Sequence, residues 1–296
     1  MRIIDYKAML FGFLFGDGWL SISKRNLYNG GFSGDSASLE IAKNDLINIY
    51  GDIGLAKITT KETVSEKYGI SGTTSSFVIN KKVIDDFINL GAPIGKKVEQ
   101  NYLLPEWVTS GDIDIKRYFI SGLYAAEGYT PTMQHNGLTP KSIGFNLQKR
   151  IEFENSFRHF IDQLSQILND LNINHSIEFT YVNTHHNNIK CAIIFYNNID
   201  NMLNIFNMLY IRYNISKCTE FDAMKQYLLY KQECITNLQN AYIDVLKEPR
   251  IPRQILCDKY KISNSQIDNW RRRKTGVRIP NNFVKYNQFK TNILSI

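Results

Sequence analysis

The chain has 296 residues, of which 43% are hydrophobic and 21% charged, and its net charge is +7. This length suffices for two or three packed units, and the composition is that of a soluble globular protein. No run approaches the roughly 20 apolar residues that span a bilayer, and the N-terminus lacks the order of a signal peptide. The four cysteines form no Cys-x-x-Cys pair, which argues against a zinc site or a disulfide framework. We therefore expect a soluble intracellular protein with no membrane partner.

The first predicted element is an apolar helix that ends in an acid. Residues 10–18 place Gly12 and Gly16 four positions apart, and Asp17 and Gly18 follow. After this motif, the hydrophobic periodicity predicts alternating strands and helices. These are strands over 19–25 and about 36–42, a helix over 43–54, strands near 57–65 and 74–80, and a helix over 81–90. Chain-breaking residues at 93, 105 and 111 then predict a linker over 91–112.

The same pattern returns 110 residues later. Residues 120–128 carry Gly122 and Ala126 four apart, followed by Glu127 and a glycine. The elements predicted after it repeat the earlier order. They are strands near 129–135 and 142–148, a helix over 151–171, strands near 175–182 and 189–196, and a helix over 199–211. One long helix over 219–247 and two short tail helices over 250–260 and 265–274 complete the prediction.

The repeated motif has a physical interpretation. Small residues four apart lie on one helix face and permit a close approach of two backbones. If the two motif helices pack side by side, Asp17 and Glu127 lie next to each other at one end of the pair. Adjacent carboxylates can hold hard divalent cations, which activate water and stabilise a phosphodiester leaving group. Each acid alone is more simply explained as a helix-end residue; the repetition favours catalysis.

The two motifs and the element order that follows each resemble the LAGLIDADG homing endonucleases in their single-chain, two-motif form. The resemblance implies an α+β fold of two tandem αββαββα halves, whose antiparallel sheets form a saddle over DNA. It places the first half over 1–110 and the second over 111–247. A small basic helical extension over 248–296 follows them. At 15 and 16 the first motif has Phe and Gly where the family name has Asp and Ala.

The resemblance also implies a function. A member of this family cleaves both strands of a long, specific double-stranded DNA target as a monomer, with Mg²⁺ or Mn²⁺, whereas Ca²⁺ substitutes without supporting cleavage. Asp17 and Glu127 would hold the metals with help from the carbonyl oxygens of Gly16 and Ala126. Lys97 and Lys217, which lie 120 residues apart at matching places, would stabilise charge on the phosphate. The alternative that both are solvated surface lysines without a catalytic role has equal weight.

Contacts to DNA are expected on the outward faces of the strands. In 142–148 the apolar residues alternate with Ser, Gly, Asn and Gln, as in a half-buried antiparallel strand. Asn and Gln can read adenine in the major groove. The residues predicted to contact DNA from the strands are Ser21, Ser23, Arg25, Asn146, Gln148, Glu178 and Thr180. Lys43 and Lys149 are predicted to end the second strand of each half and to contact DNA. They resemble the family's polar position near the metals, although a purely structural role is slightly favoured for both.

The excess positive charge is confined to the tail. Residues 249–296 hold 11 Lys and Arg against 2 Asp and Glu, whereas residues 1–248 hold 24 against 26. The two short predicted helices resemble a helix-turn-helix. We expect the tail to add affinity through phosphate contacts and to extend the target site. Its predicted DNA-contacting residues are Trp270, Arg271, Arg272, Arg273 and Lys274.

Other interpretations stay open at this stage. A family member that has lost cleavage could act as an RNA splicing maturase, with intron RNA as its partner, or as a DNA-binding regulator. An intron-encoded or free-standing gene is expected, in a microbial or phage-infected cytoplasm or an organelle. An intein-embedded form is less expected, because Met1 lies close to the first motif and no splicing block with its Cys, His and Asn flanks the repeats. The pair His185–His186 is predicted to lie in an exposed loop and not to form a metal site.

Overall fold

The computed structural model describes two compact units. One comprises Met1–Thr132 and Lys141–Asp222, and the other comprises Met133–Pro140 and Ala223–Ile296. Both motifs therefore lie in the first unit, whereas residues 133–140 of the second repeat and the basic tail lie in the second. The structure describes all residues except 24, 26, 52–54, 56, 66–69, 183–186, 248–249, 274–275, 278, 280–282 and 295–296.

The first repeat folds into helices and one antiparallel sheet, which confirms the α+β class. Its four strands are ordered β1-β2-β4-β3, and every neighbouring pair is antiparallel. The elements are α1 (Ile3–Gly16), β1 (Gly18–Ile22), β2 (Tyr28–Gly34), α2 (Ser36–Tyr50), β3 (Thr59–Ser65), β4 (Ile70–Val78) and α3 (Lys81–Asn89).

The strand predicted over 36–42 is wrong, because those residues form the first turns of α2. The carboxylate of Asp35 caps this helix by accepting a 2.9 Å hydrogen bond from the backbone N–H of Ser38. An acidic residue at this position satisfies a backbone donor that a strand would leave to a neighbour. The second strand lies earlier, over Tyr28–Gly34, where Gly31 packs under the ring of Trp19.

The second repeat has the same order with one strand fewer. A short α4 (Glu106–Thr109) precedes it within the linker. Its elements are α5 (Ile113–Glu127), β5 (Ile143–Arg150), α6 (Glu154–Asp170), β6 (His175–Val182), β7 (Asn188–Phe195) and α7 (Ile199–Met208). The sheet has the antiparallel order β5-β7-β6.

The strand predicted over 129–135 is therefore wrong, and the second repeat departs from the αββαββα order. The N–H of Tyr129 does donate to the carbonyl of Gly144 at 2.8 Å, and Gly128 forms an isolated bridge with Phe145. Pro131 cannot extend that ladder, because proline has no backbone N–H. The paired segment consequently ends where a strand would have to continue.

Helices α1 and α5 pack unusually close to each other. A Cβ atom added to Gly12 would lie 2.0 Å from the carbonyl oxygen of Phe119, and one added to Gly122 would lie 1.9 Å from that of Met9. Both contacts are with backbone, which cannot rotate away as a side chain can. The two glycines predicted to permit close packing therefore face the opposite helix, and almost the whole interior of this helix pair is buried.

This contact predicts the cost of one added methyl group. In Gly122→Ala, the two backbones must separate, which costs about 3 kcal/mol, and the gain in helix propensity of about 1 kcal/mol offsets only part of it. We expect a net loss of roughly 2 kcal/mol in the free energy of unfolding, measured by urea denaturation. Gly34→Ala is the matched control, since its added Cβ lies 3.7 Å from the side chain of Leu39. Equal stability of the two variants would contradict the close packing.

The second unit is largely helical. It contains most of α8 (Ile215–Lys247), together with α9 (Arg253–Tyr260), α10 (Asn264–Arg273) and α11 (Tyr286–Leu294). The two tail helices predicted from sequence are confirmed within a few residues, whereas α11 was not predicted. None of the described helices combines the length and the apolar composition that crossing a bilayer requires.

Candidate active site

The two motif acids lie at the same end of the α1–α5 pair. The N–H of Asp17 donates to the carbonyl of Phe13 at 3.0 Å and so closes the last turn of α1, while Glu127 is the final residue of α5. A Cβ atom added to Gly16 would lie 2.2 Å from the Cβ of Ala126 and 3.5 Å from Oε1 of Glu127. The absence of a side chain at position 16 thus lets the acid of the other helix come close.

Two lysines bind the carbonyl ends of these helices. The ammonium nitrogen of Lys97 lies within hydrogen-bonding distance of four carbonyl oxygens, which its three N–H groups share: those of Leu14 (2.9 Å), Phe15 (2.7 Å), Gly16 (2.5 Å) and Gly18 (2.9 Å). The ammonium group of Lys217 donates to those of Ala125 (2.8 Å), Ala126 (3.0 Å) and Tyr124 (3.5 Å). Each cation lies where the helix dipole is negative, so it compensates the partial charge of the unpaired carbonyls. Both lysines are held in the site and are not free surface groups.

The four charged groups alter one another's protonation. Desolvation raises the pKa of Asp17, and the ammonium groups of Lys217 and Lys97 partly counter it. Desolvation and then the charge of Asp17 raise the pKa of Glu127. Burial lowers the pKa of Lys97 to about 8 and also lowers that of Lys217, although the carboxylates act in the opposite direction. The site therefore brings together two carboxylates and two ammonium groups whose charges are only partly solvated by water.

Lys97 is held by residues of the second repeat. It lies at the start of a short 3₁₀ turn, Lys97–Glu99, in the linker. Arg150 of β5 forms a 2.6 Å ion pair with Glu99, and the ammonium group of Lys149 donates to the carbonyl of Gln100 at 2.6 Å. These contacts fix the linker on β5 and so define where Lys97 can reach.

Lys217 is held by residues of the first repeat. Residues 210–214, which precede the first turn of α8, bind the fully buried Asp45 of α2. Arg212 contacts both carboxylate oxygens of Asp45, at 2.7 and 2.9 Å, and the hydroxyl of Tyr213 donates to it at 2.9 Å. Each lysine is thus anchored through the opposite repeat, an arrangement that the sequence did not reveal.

The acids provide a donor set suited to a hard divalent cation. Carboxylate and carbonyl oxygens are the ligands that Mg²⁺ and Ca²⁺ prefer. The raised pKa values of the two neighbouring carboxylates indicate a region where added positive charge would be stabilising. The carbonyls of Gly16 and Ala126, which were predicted to assist, accept hydrogen bonds from Lys97 and Lys217. Among the described residues, no group of three or more His, Cys, Asp and Glu side chains forms a potential metal cluster.

One face of the second sheet carries exposed polar side chains. Asn146 and Gln148 on β5 are exposed, as are Glu178 and Thr180 on β6. In register, Gln148 and Thr180 both lie opposite Lys190 of β7, which sequence reasoning missed. A cavity of about 390 Å³ adjoins this face, and its lining includes Glu127, Lys97, Asn146, Gln148 and Lys190. The alternation in 189–195 would have indicated Lys190.

The predicted contact residues of the first sheet lie at its edge hairpin. Ser21 is half-buried on β1, and Ser23 and Arg25 are exposed. The hydroxyl of Ser23 accepts hydrogen bonds from the backbone N–H groups of Arg25 and Leu27, at 3.3 and 3.2 Å. Ser23 therefore orders the hairpin turn, which presents Arg25 to solvent.

Two predicted lysine positions are corrected. Lys43 lies within α2 and not at the end of a strand. Lys149 does lie on β5, but it is 1% exposed and faces the core, with its ammonium group 3.7 Å from the ring centroid of Tyr102. Burial lowers its pKa to about 8. Its side chain braces the linker and does not reach a surface that DNA could contact.

In the tail, two of the predicted DNA-contacting residues are structural. Trp270 is 2% exposed within the core of the second unit, and Arg271 donates to the carbonyl of Ile251 at 2.7 Å. Arg272 is exposed. The side chain of Arg273, residue Lys274 and the pair His185–His186 lie outside the described residues.

The site is therefore a helix pair that ends in two acids and adjoins a sheet with an exposed polar face. Residues 114–206 match the family model described as a LAGLIDADG-like domain. This segment of the chain is similar to that domain. The match covers the second motif with the sheet and helices that follow it.

Several curated proteins contain a segment similar to this chain. The tRNA-splicing ligase RtcB of Methanocaldococcus jannaschii is 31% identical over 183 residues, which are 56% of this chain and 18% of that protein. From the same organism, DNA-directed RNA polymerase subunit Rpo1N is 27% identical over 76% of this chain and 17% of its own length. The replication factor C small subunit is 25% identical over 95% and 15%. The chain thus spans less than a fifth of the length of these relatives.

Among solved structures, the LAGLIDADG homing endonuclease I-GzeII in complex with its DNA target aligns with a TM-score of 0.40 and 8% identity. The alignment covers 88% of this chain and 98% of that one.

Proposed function

We propose that the chain is a site-specific, divalent-metal-dependent endonuclease that cleaves both strands of a long double-stranded DNA target as a monomer. The observation that carries this proposal is the placement of Asp17 and Glu127 at adjacent ends of α1 and α5, with one lysine bound behind each acid. Two acids in quasi-equivalent positions suit a reaction performed twice, once on each strand.

The acids would hold Mg²⁺ or Mn²⁺, with Ca²⁺ binding unproductively, and the cation would supply activation of water and stabilisation of the leaving oxygen. The chain's own contribution is electrostatic. Two helix C-termini directed at a phosphate would repel it, since each carries about half a negative charge. Lys97 and Lys217 offset that charge and hold the last turns rigid, so that the carboxylates keep their positions.

Recognition of the target would fall to the sheet faces. The exposed row on the second sheet combines amide, hydroxyl and ammonium groups, which are donors and acceptors suited to base edges and phosphates in the major groove. The cavity lined by Glu127, Asn146 and Gln148 supports this assignment, because it connects the acid with the polar face. Ser21 and Arg25 would extend the contact from the first sheet.

The similarity to these relatives supports the view that the chain is a separate module, and it does not assign their activities to the chain. Their names indicate RNA ligation, transcription and replication, yet each shares only 15–18% of its length with this chain. A segment common to proteins of such different function is best explained as a mobile unit that is independent of its surroundings. We therefore assign none of those activities to the chain, and we infer a role in homing, either from an intron or from a free-standing gene.

The test is cleavage of a randomised duplex library by the wild-type protein, in Mg²⁺ and in EDTA. We expect double-strand cuts at one long site in Mg²⁺ and no cuts in EDTA. Sequencing the cleaved ends identifies the site, and a heat-denatured sample controls for a contaminating nuclease. Tight and specific binding without cutting would replace this proposal with the regulator or maturase interpretation, and binding to intron RNA would then be measured.

A further inference from the structure

The second unit contains a three-helix arrangement built on α8. Ile267 and Trp270 of α10 are buried, and they pack with residues of α8 and α9 in one core whose other members are Leu238, Ala241, Val245, Leu256 and Ile262. Helices α9 and α10 are separated by three residues, and Lys261, the first of them, has a left-handed backbone with φ of 54°. This left-handed residue reverses the chain direction at the end of α9, so that α10 begins after a tight turn.

The buried side of α10 determines which side faces solvent. Ser265, Asn269 and Arg272 are spaced four and three residues apart, so they lie on one helix face. All three are exposed. We call these three residues the reading face. It excludes Trp270, which belongs to the core, and Arg271, whose guanidinium binds the carbonyl of Ile251.

We propose that the reading face enters the major groove of a duplex segment separate from the one bound by the first unit, and reads its bases. The proposal rests on the proposed function, because it assumes that the chain binds double-stranded DNA. An α-helix fits the major groove, where Asn pairs with adenine through two hydrogen bonds and Arg pairs with guanine in the same way. The target would thus have two separately recognised parts.

The electrostatics of the tail favour DNA as the occupant. Residues 249–296 carry 11 basic and 2 acidic residues. Asp268, an acid on α10 that could repel phosphate, is paired with Arg253 of α9 at 3.0 Å. Asp244 of α8 is likewise paired with Lys259 at 2.9 Å. Double-stranded RNA is disfavoured, because its major groove is too deep and narrow for a helix.

The proposal is tested by selecting bound sequences from a randomised duplex library with the full-length protein in EDTA. The variants are Asn269→Ala, which removes an amide proposed to read a base, and Arg272→Lys, which keeps the charge but loses the bidentate hydrogen bonding to guanine. Asn240→Ala is the matched control, since Asn240 is exposed on α8. Thermal melting verifies that each variant folds. Because no cutting is required, the result is readable even if the protein proves not to be a nuclease.

We expect the wild type to select two separate groups of bases. Asn269→Ala should weaken binding to the best site by about 5- to 150-fold and abolish selection at one position of the second group. Arg272→Lys should relax a different position of that group while leaving the salt dependence unchanged. Asn240→Ala should match the wild type. Selection of one group only, or retention of every preference by Asn269→Ala and Arg272→Lys, would overturn the proposal, as would selective binding of RNA or protein by the tail.

Discussion

Replacing Asp17 by Asn, or Glu127 by Gln, should lower the rate of DNA cleavage by at least roughly 10³-fold, or about 4 kcal/mol in activation free energy. The reason is that each change removes a charged oxygen ligand at a helix end while keeping the shape of the side chain. DNA binding should be largely retained, because the polar sheet faces are untouched. The measurement is single-turnover cleavage of the selected duplex, with binding followed separately in Ca²⁺.

The same variants should be more stable than the wild type without metal. The folded-state pKa values of both acids are raised. At a pH just above the ordinary carboxylate pKa, the folded protein therefore still holds protons that the unfolded chain has already released. The stability that these acids contribute is therefore present at low pH and is lost as the pH rises through their raised folded-state pKa values. Removing either charge should raise the melting temperature in EDTA at pH 7, and added Mg²⁺ should stabilise the wild type most.

Glu40→Gln is the control for these measurements, because Glu40 is an exposed acid on α2, away from the helix ends. It should leave cleavage and melting temperature unchanged. Full cleavage by Asp17→Asn would disprove the assigned role of that acid. A wild type that melts at the same temperature with and without Mg²⁺ would show that the acids hold no ion in the free protein.

Arg212→Ala should destabilise the first unit by about 3–5 kcal/mol, because it leaves the carboxylate of Asp45 buried without its cation. The carboxylate is 0% exposed and Arg212 supplies two of its hydrogen bonds. For a unit of this size, the loss corresponds to a fall in melting temperature of about 6–20 °C. Replacing Asp45, Arg212 and Tyr213 together by apolar residues of similar volume should restore much of the stability.

An exposed ion pair provides the comparison. Asp85→Ala breaks the pair between Lys81 and Asp85, whose side chains are 81% and 42% exposed. Its cost should be about 0–1 kcal/mol, since solvent screens such pairs. If Arg212→Ala were as mild as Asp85→Ala, the buried pair would contribute little, and another contact would have to hold residues 210–214 in place.

Much of the fold followed from local patterns. Helical spacing, capping residues and strand alternation predicted most elements within a few residues, and the spacing of small residues predicted the close α1–α5 contact. Errors arose where local preferences were ambiguous. Residues 36–42 alternate as a strand would, but Asp35 caps a helix there. A strand was predicted over 129–135, yet Pro131 prevents the pairing that makes a strand.

Some site residues could have been placed better from the sequence. In β5 the apolar positions 143, 145 and 147 define the core face, and Lys149 continues that series, so its inward direction followed from the alternation already noted. Trp270 likewise follows Ile267 at helical spacing, which indicates a buried side of α10. The basic residues beside it drew attention to charge, although periodicity was the stronger signal.

The sequence by itself determined the repeated motif, the two acids, the small residues that bring their helices together and the resemblance to a known family. Those features are local, and their spacing along the chain carries the physical information. Only the tertiary structure decided how the site is held: Lys97 is positioned by Lys149 and Arg150 of the second repeat, and Lys217 through Asp45 of the first. Such contacts join residues 49 or more positions apart, and no periodicity in the chain encodes which distant partners will meet.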